Sequence, residues 1–281
     1  MPMVTMAELL KNAEKGGYAV GAFNCNNMEI VQAIINAATL ENSPVIVQAS
    51  QGAIKYAGLD YIVAMTRLAA SRTHVPVALH LDHGTSFEQC VQCIAAGFTS
   101  VMIDGSKHPL PENITLTNKV LEVARAAGVT VEGELGKLGG TEDDIFVHDR
   151  DALFTEALEF VQATGVDALA VAIGTAHGVY KGEPKLDMPR LKAIRNLVKI
   201  PIVLHGSSGV PDEALKEAVS LGVRKINIDT NVREAFMKAA KDVLAANPKE
   251  IDPRKVLGPA REAMTKLVRE KICIFGSANQ A

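Results

Sequence analysis

Val75-Pro-Val-Ala-Leu-His-Leu-Asp-His-Gly84 carries the clearest structural pattern in the chain. It begins as a nearly continuous aliphatic run, the pattern of a strand buried on both faces in a parallel sheet. The run stops at Asp82 and His83, so the strand delivers a carboxylate and an imidazole to the carboxyl edge of the sheet, where α/β folds keep their chemistry. Two later stretches repeat the design, Asp167-Ala-Leu-Ala-Val-Ala-Ile-Gly-Thr-Ala-His-Gly178 and Ile200-Pro-Ile-Val-Leu-His-Gly206. Three strands each hand one histidine to that edge, and glycine follows each histidine, where it lets backbone approach a substrate closely.

Outward from this stretch, strand and helix patterns alternate with no linker or low-complexity segment. Strands are expected at 19–24, 44–49, 75–81, 99–103, 129–135, 168–173, 200–204 and 223–228. The helices between and after them are expected at 28–41, 61–71, 86–96, within 112–127, and at 151–163, 188–197, 211–220 and 231–246. Eight such units predict an α/β fold of the (β/α)8 TIM-barrel type, with residues 1–281 as a single domain. A doubly wound open sheet is the rival, but Val20-Gly-Ala-Phe-Asn24 is not a dinucleotide turn. Two helices remain: an N-terminal one at 6–15 placed to cap the barrel bottom, and a C-terminal one at 253–271 placed to meet another subunit.

The 281 residues are 48% hydrophobic and 22% charged, the balance of an ordinary soluble globular protein. A net charge of -3 gives no long-range attraction for nucleic acid or anionic membrane, so phosphate binding must be local. No apolar run approaches the roughly 20 residues needed to cross a bilayer, and Met1 to Leu10 has no signal-peptide pattern. Cys25, Cys90, Cys93 and Cys273 have the spacing of neither a disulfide framework nor a zinc knuckle. Cys90 and Cys93 fall on one face of an expected helix and read as packing. A cytoplasmic location is expected.

His83, His177 and His205 are the candidate metal ligands, since three neutral imidazoles hold a catalytic zinc and leave a position open for substrate. His80 lies inside the strand and reads as core or as support to a ligand, while His74, His108 and His148 read as loop residues. After the seventh strand, Gly206-Ser-Ser-Gly209 precedes a helix opening at Pro211; after the eighth, Asn227-Ile-Asp-Thr230 runs into another helix. Barrels bind phosphate between these two loops, with Ser207 and Ser208 among the donors and Lys181 as a point charge. Glu132, Glu134, Glu142, Asp143 and Asp144 read as one acidic loop. Glycines 133, 136, 139 and 140 suit it to act as a lid. Three alternatives stand beside a metal-dependent enzyme: a Schiff-base enzyme using Lys225, a non-catalytic sugar-phosphate sensor, and a zinc hydrolase, against which the paired phosphate loops argue.

His80-Leu-Asp-His-Gly-Thr-Ser-Phe87, Val131-Glu-Gly-Glu-Leu-Gly-Lys-Leu-Gly-Gly-Thr-Glu-Asp-Asp144, Gly174-Thr-Ala-His-Gly-Val-Tyr-Lys-Gly182, Leu204-His-Gly-Ser-Ser-Gly-Val-Pro211 and Lys225-Ile-Asn-Ile-Asp-Thr230 resemble the class II, zinc-dependent fructose-bisphosphate aldolases. The likeness runs from Val4 through the segment Asp252 to Met264. It implies reversible cleavage of fructose 1,6-bisphosphate to dihydroxyacetone phosphate and glyceraldehyde 3-phosphate through a zinc-stabilised enediolate, a step of glycolysis and gluconeogenesis. Tagatose 1,6-bisphosphate or another ketose phosphate remains open, because a few contacts decide the sugar.

By the same resemblance His83, His177 and His205 hold zinc, and Glu134 and Asp104 can hold a displaced or second metal. Asp82 is the acid/base at the C4 hydroxyl, Glu142 handles the proton at C3, and Asn227 touches the enediolate. Asn24, Ser50, Gly178, Lys181, Gly206, Ser208, Asp229 and Thr230 match substrate and phosphate positions. Carbonyls of Gly178 and Gly206 fall near a monovalent cation, Na+ or K+. Arg254 resembles an arginine that reaches a neighbouring subunit of a homodimer or homotetramer.

Overall fold

In chain order the structure, a computed structural model, runs α1 (Met6–Gly16), β1 (Val20–Asn24), α2 (Met28–Leu40), β2 (Val45–Ser50), α3 (Gln51–Ala57), α4 (Leu59–Ser71), β3 (Val77–Gly84), α5 (Phe87–Ala96), β4 (Ser100–Ile103) and α6 (Leu110–Ala127). It continues with β5 (Thr130–Leu135), α7 (Arg150–Thr164), β6 (Ala168–Val171), α8 (Met188–Leu197), β7 (Ile202–Leu204), α9 (Asp212–Ser220), β8 (Val223–Ile228), α10 (Thr230–Ala246) and α11 (Pro253–Ile274). The residues described are 3–136, 150–175, 178, 182 and 184–281. The eight strands pair in parallel, each with its neighbours in sequence, and β1 closes on β8 through Val20↔Lys225 and Ala22↔Asn227. The barrel expected from the alternation is therefore the fold.

Some boundaries moved for physical reasons. β3 and β7 start two residues later than expected, after Pro76 and Pro201. Proline has no N–H for the ladder, and these two contribute only carbonyls, to Val45 N at 3.1 Å and Leu169 N at 3.0 Å. Between β2 and β3 there are two helices rather than one. Ser50 caps α3 by accepting from Ala53 N, and Gly58 breaks the helix from α4 with φ 91°. The barrel also keeps α5, whose Cys90 and Cys93 are buried in packing as expected.

The N-terminal helix does plug the bottom. Thr5 caps α1 by accepting from Glu8 N at 3.3 Å, and Gly17 ends it in the left-handed region. Its apolar positions Met6, Leu9, Leu10 and Ala13 recur at helical spacing and pack beneath Val20, Ala22, Ile46, Ala78, Ala168, Ala170 and Val203. Each fully buried leucine contributes about 1.5–3 kcal/mol relative to exposure. At the other end of the chain α11 lies along α2, where Arg261 donates to Gln32 at 2.7 Å and Arg269 to Glu41 at 2.6 Å. Among the described residues no helix is long and apolar enough to cross a membrane.

Candidate active site

Strand alternation alone would send Asp82 and His83 to opposite sides of the sheet. It does not, because the pairing of β3 with β4 shifts between Leu81 and Gly84, and His83 adopts φ 51°, in the left-handed region. This bulge aims both side chains into the barrel mouth. Gly84 makes it possible for a reason other than substrate approach: a Cβ there would lie 2.4 Å from the carbonyl oxygen of Met102 in β4. Asp82 was expected in a turn after the strand, and it lies within β3 opposite Ser50 of β2.

Asp82 and His83 line a cleft of about 290 Å³ with Asn24, Ser50, Gly178, His205, Gly206, Ser207, Ser208, Asn227, Asp229 and Thr230. All of these were expected site residues. His177, Lys181 and Glu142 lie outside the described residues. Arg254 is at the start of α11, mostly exposed, with its guanidinium on Asp252 at 2.8 Å and away from this chain's cleft.

The imidazoles of His83 and His205 meet edge to face, with Nε2 of His83 3.0 Å from Nδ1 of His205. Their other nitrogens are held by carboxylates. His83 Nδ1 is 3.1 Å from Asp104 Oδ2 and 3.7 Å from Glu134 Oε2, and His205 Nε2 is 2.7 Å from Glu132 Oε1. Carboxylates on those nitrogens fix the outer N–H tautomer and turn a lone pair inward on each ring. Two lone pairs at 3.0 Å call for positive charge between them. Burial opposes charge on His83, yet Asp82, Asp104 and Glu134 outweigh it and push its pKa up to about 10. The pocket selects a cation at this point, either a proton or a metal ion exchanged for it.

The donors suit a divalent ion in two overlapping sets: Asp82 with His83 and His205, and His83 with Asp104 and Glu134. In the second set Glu134 Oε2 is buried with no hydrogen-bond partner among the described residues. Burial and then Asp104 raise the Glu134 carboxyl well above the usual range. A cation beside it would reverse that penalty.

Glu132 and Glu134 belong to the fifth strand, expected over 129–135, and not to the acidic loop with which the sequence also groups them. They occupy alternate positions of β5, fully or nearly fully buried, facing the barrel interior. Gly133 between them serves helix packing rather than mobility, since a Cβ there would meet the Phe160 ring at 2.8 Å. Asp143 and Asp144 lie outside the described residues, as do glycines 139 and 140. His80 is core, its Nδ1 2.7 Å from Ser100 Oγ.

Asp82 is held by two amides. Asn24 Nδ2 donates to Oδ2 at 2.8 Å, Asn227 Nδ2 donates to Oδ1 at 3.2 Å, and Gln48 in turn donates to Asn24 at 2.7 Å. Burial raises the Asp82 pKa, but His83, His205, Lys225 and Asn24 more than offset it and keep the carboxylate ionised. On the phosphate side, Ser208 Oγ accepts from Asp229 N and Asn231 N, each at 3.3 Å, so the seventh loop caps the helix that follows the eighth. The Ser207 hydroxyl is committed to its own turn, donating to Leu204 O at 3.2 Å. Glycine is required at 178 for conformation, with φ 91° and no atom of the described residues within 4 Å of where a Cβ would stand.

Sequence reading missed Arg233. It stands one turn into α10, bonds Asp229, and lines the cleft. The i, i+4 spacing from Asp229 was the available signal, and it is common on any solvated helix.

Residues 4–280 match the family described as fructose-bisphosphate aldolase class-II. The chain is 49% identical over 287 residues to a probable fructose-bisphosphate aldolase of Bacillus subtilis (strain 168), covering 100% of both chains. It is 48% identical to the fructose-bisphosphate aldolase of Geobacillus stearothermophilus, over 100% of this chain and 99% of that one. Among solved structures, the YdjI aldolase of Escherichia coli K12 is similar at a TM-score of 0.85 and 34% identity, covering 98% of each chain.

Proposed function

This chain belongs to the class II fructose-bisphosphate aldolase family, and from that premise we propose that it cleaves fructose 1,6-bisphosphate reversibly to dihydroxyacetone phosphate and glyceraldehyde 3-phosphate, with His83, His177 and His205 holding a zinc ion. The observation that carries this reading is the facing pair of His83 and His205 nitrogens, 3.0 Å apart beside Asp82 at the barrel mouth. When bound, the ion supplies Lewis acidity, drawing electrons from a substrate carbonyl and favouring negative charge on its oxygen.

Asp82 then has the geometry and charge of a general base. In the cleavage direction it takes the proton of the C4 hydroxyl as the C3–C4 bond breaks and C4 becomes the aldehyde. The electron pair stays on C3 of the ketose half, and Glu142 returns a proton there. In condensation Asp82 gives its proton back to the aldehyde oxygen. Asn24 and Asn227 keep its two oxygens aimed, and Asn227 can turn its amide to the substrate oxygen as charge develops.

Ser208 and Thr230 offer hydroxyl donors to one phosphate at the start of α10, with Gly206 beside them, and Lys181 would add its charge. Ser50 and Arg233 on the cleft wall suit the second. Gly178 and Gly206 can lend carbonyls to a monovalent cation. In a homodimer or homotetramer, Arg254 would complete the aldehyde-side phosphate site of a neighbour.

Cleavage of fructose 1,6-bisphosphate and tagatose 1,6-bisphosphate, assayed side by side, tests the substrate. Fructose selectivity is expected. Tagatose preference would keep the chemistry and change the sugar, and borohydride trapping of a substrate on Lys225 would overturn the metal reading.

A further inference from the structure

The structure assigns Lys225 a role as a positioning residue: through Glu132 it holds the His205 imidazole with Nδ1 turned into the cleft. This inference rests on the proposed use of His205 as a metal ligand, and it extends that reading to a group that touches neither substrate nor ion.

Barrel interiors are ordinarily filled by branched apolar side chains. Here β8 sends a lysine and β5 a glutamate into the same interior layer, both with fully buried side chains, joined by a 2.8 Å bond from Lys225 Nζ to Glu132 Oε2. Replacing such a pair by apolar groups of similar size is often neutral or stabilising, so stability alone is a weak reason for it. Lys225 does not line the cleft, although Asn227, two residues along the same strand, does. A substrate carbonyl or phosphate in the cleft therefore meets Asn227 and not Lys225.

What Lys225 does reach is the back of the metal site. Glu132 uses one oxygen for each partner: Oε2 accepts from Lys225 at 2.8 Å, and Oε1 accepts from His205 Nε2 at 2.7 Å. His80 Nε2 stands 3.5 Å from the same Oε2 and is itself pinned through Nδ1 to Ser100. With Oε2 tied down, the carboxylate cannot rotate about its terminal torsion, and Oε1 stays aimed at Nε2. That hydrogen bond keeps the proton on Nε2 and points the Nδ1 lone pair toward His83. Outer groups of this kind commonly govern metal affinity.

The test compares wild type, Lys225→Met, Glu132→Gln and the double variant. Three quantities are measured: the zinc dissociation constant by chelator competition, Tm of the zinc-stripped protein, and kcat and KM at saturating zinc. Lys225→Met is expected to weaken zinc binding about 10- to 100-fold. Substrate KM should stay near wild type and most of kcat should recover as zinc saturates, the small remainder reflecting the lost Lys225 charge near Asp82. In the Glu132→Gln background the lysine change should alter zinc affinity by less than about 3-fold, because its effect passes through Glu132. This pair also serves if Lys225→Met alone does not fold. Equal zinc affinity with and without Lys225 overturns the inference, and so does an equal loss in both Glu132 backgrounds. Wild-type protein that holds no zinc would instead overturn the prior reading of His205, and this inference with it.

Discussion

The same strands build the two ends of the barrel interior from opposite chemistry. At the bottom, Val20, Ala22, Ile46, Ala78 and Val203 close on α1 in a buried apolar cluster. Two to four residues further along those strands the inward positions become Asn24, Gln48, His80, Asp82 and His205, all buried and all polar. Side chains on one face of a strand recur every second residue, so one inward row passes from plug to site within a turn of sequence, as in Ala78, His80 and Asp82. The apolar end supplies burial energy. That surplus supports an upper end where a carboxylate-rich, water-poor layer is costly unless every charge has a partner.

Substitutions in the two halves should separate cleanly. Asp82→Asn, in the polar half, is expected to lower kcat for bisphosphate cleavage by roughly a hundred- to ten-thousand-fold, with zinc content and Tm near wild type. A steady-state assay with metal analysis checks it, and an unchanged kcat would remove Asp82 from the chemistry. Leu10→Ala, in the plug, should cost about 2–5 kcal/mol in denaturant unfolding while leaving kcat/KM intact at temperatures where the protein is folded. A large loss of activity in the folded variant would mean the ends are coupled.

Ser208→Ala sits on the seam, since its hydroxyl both caps α10 and faces the cleft. We expect a stability loss of about 1 kcal/mol and a raised KM with a smaller change in kcat. Arg254→Ala should be the mildest for the isolated chain, leaving the unfolding midpoint where it is, because its side chain is 89% exposed. A rise in KM for the bisphosphate in that variant, tracked against oligomeric state, would show that it serves a neighbour's site.

The order of the eight strands and the convergence of His83 and His205 were legible because each depends on local pattern: an apolar run, a terminal histidine, a following glycine. Features set by a distant partner were not. Glu132 and Glu134 look like part of an acidic loop until Lys225, His205 and His83 arrive from other strands to pair with them. The bulge at His83 depends on how β4 registers against β3. The short helix α3 follows from Ser50 capping and Gly58 breaking a segment too brief to show a period. Arg233 was hidden because its spacing from Asp229 is that of any surface pair.

By the proposed function, the polar end works through one metal ion seated by His83 and His205. The most direct test is to strip the protein with a chelator, then return zinc in fractions of one equivalent per chain while following fructose 1,6-bisphosphate cleavage. Activity should vanish on stripping and return in proportion, reaching its plateau near one equivalent. Cleavage that persists after complete metal removal would rule out a metal-dependent reaction at this site.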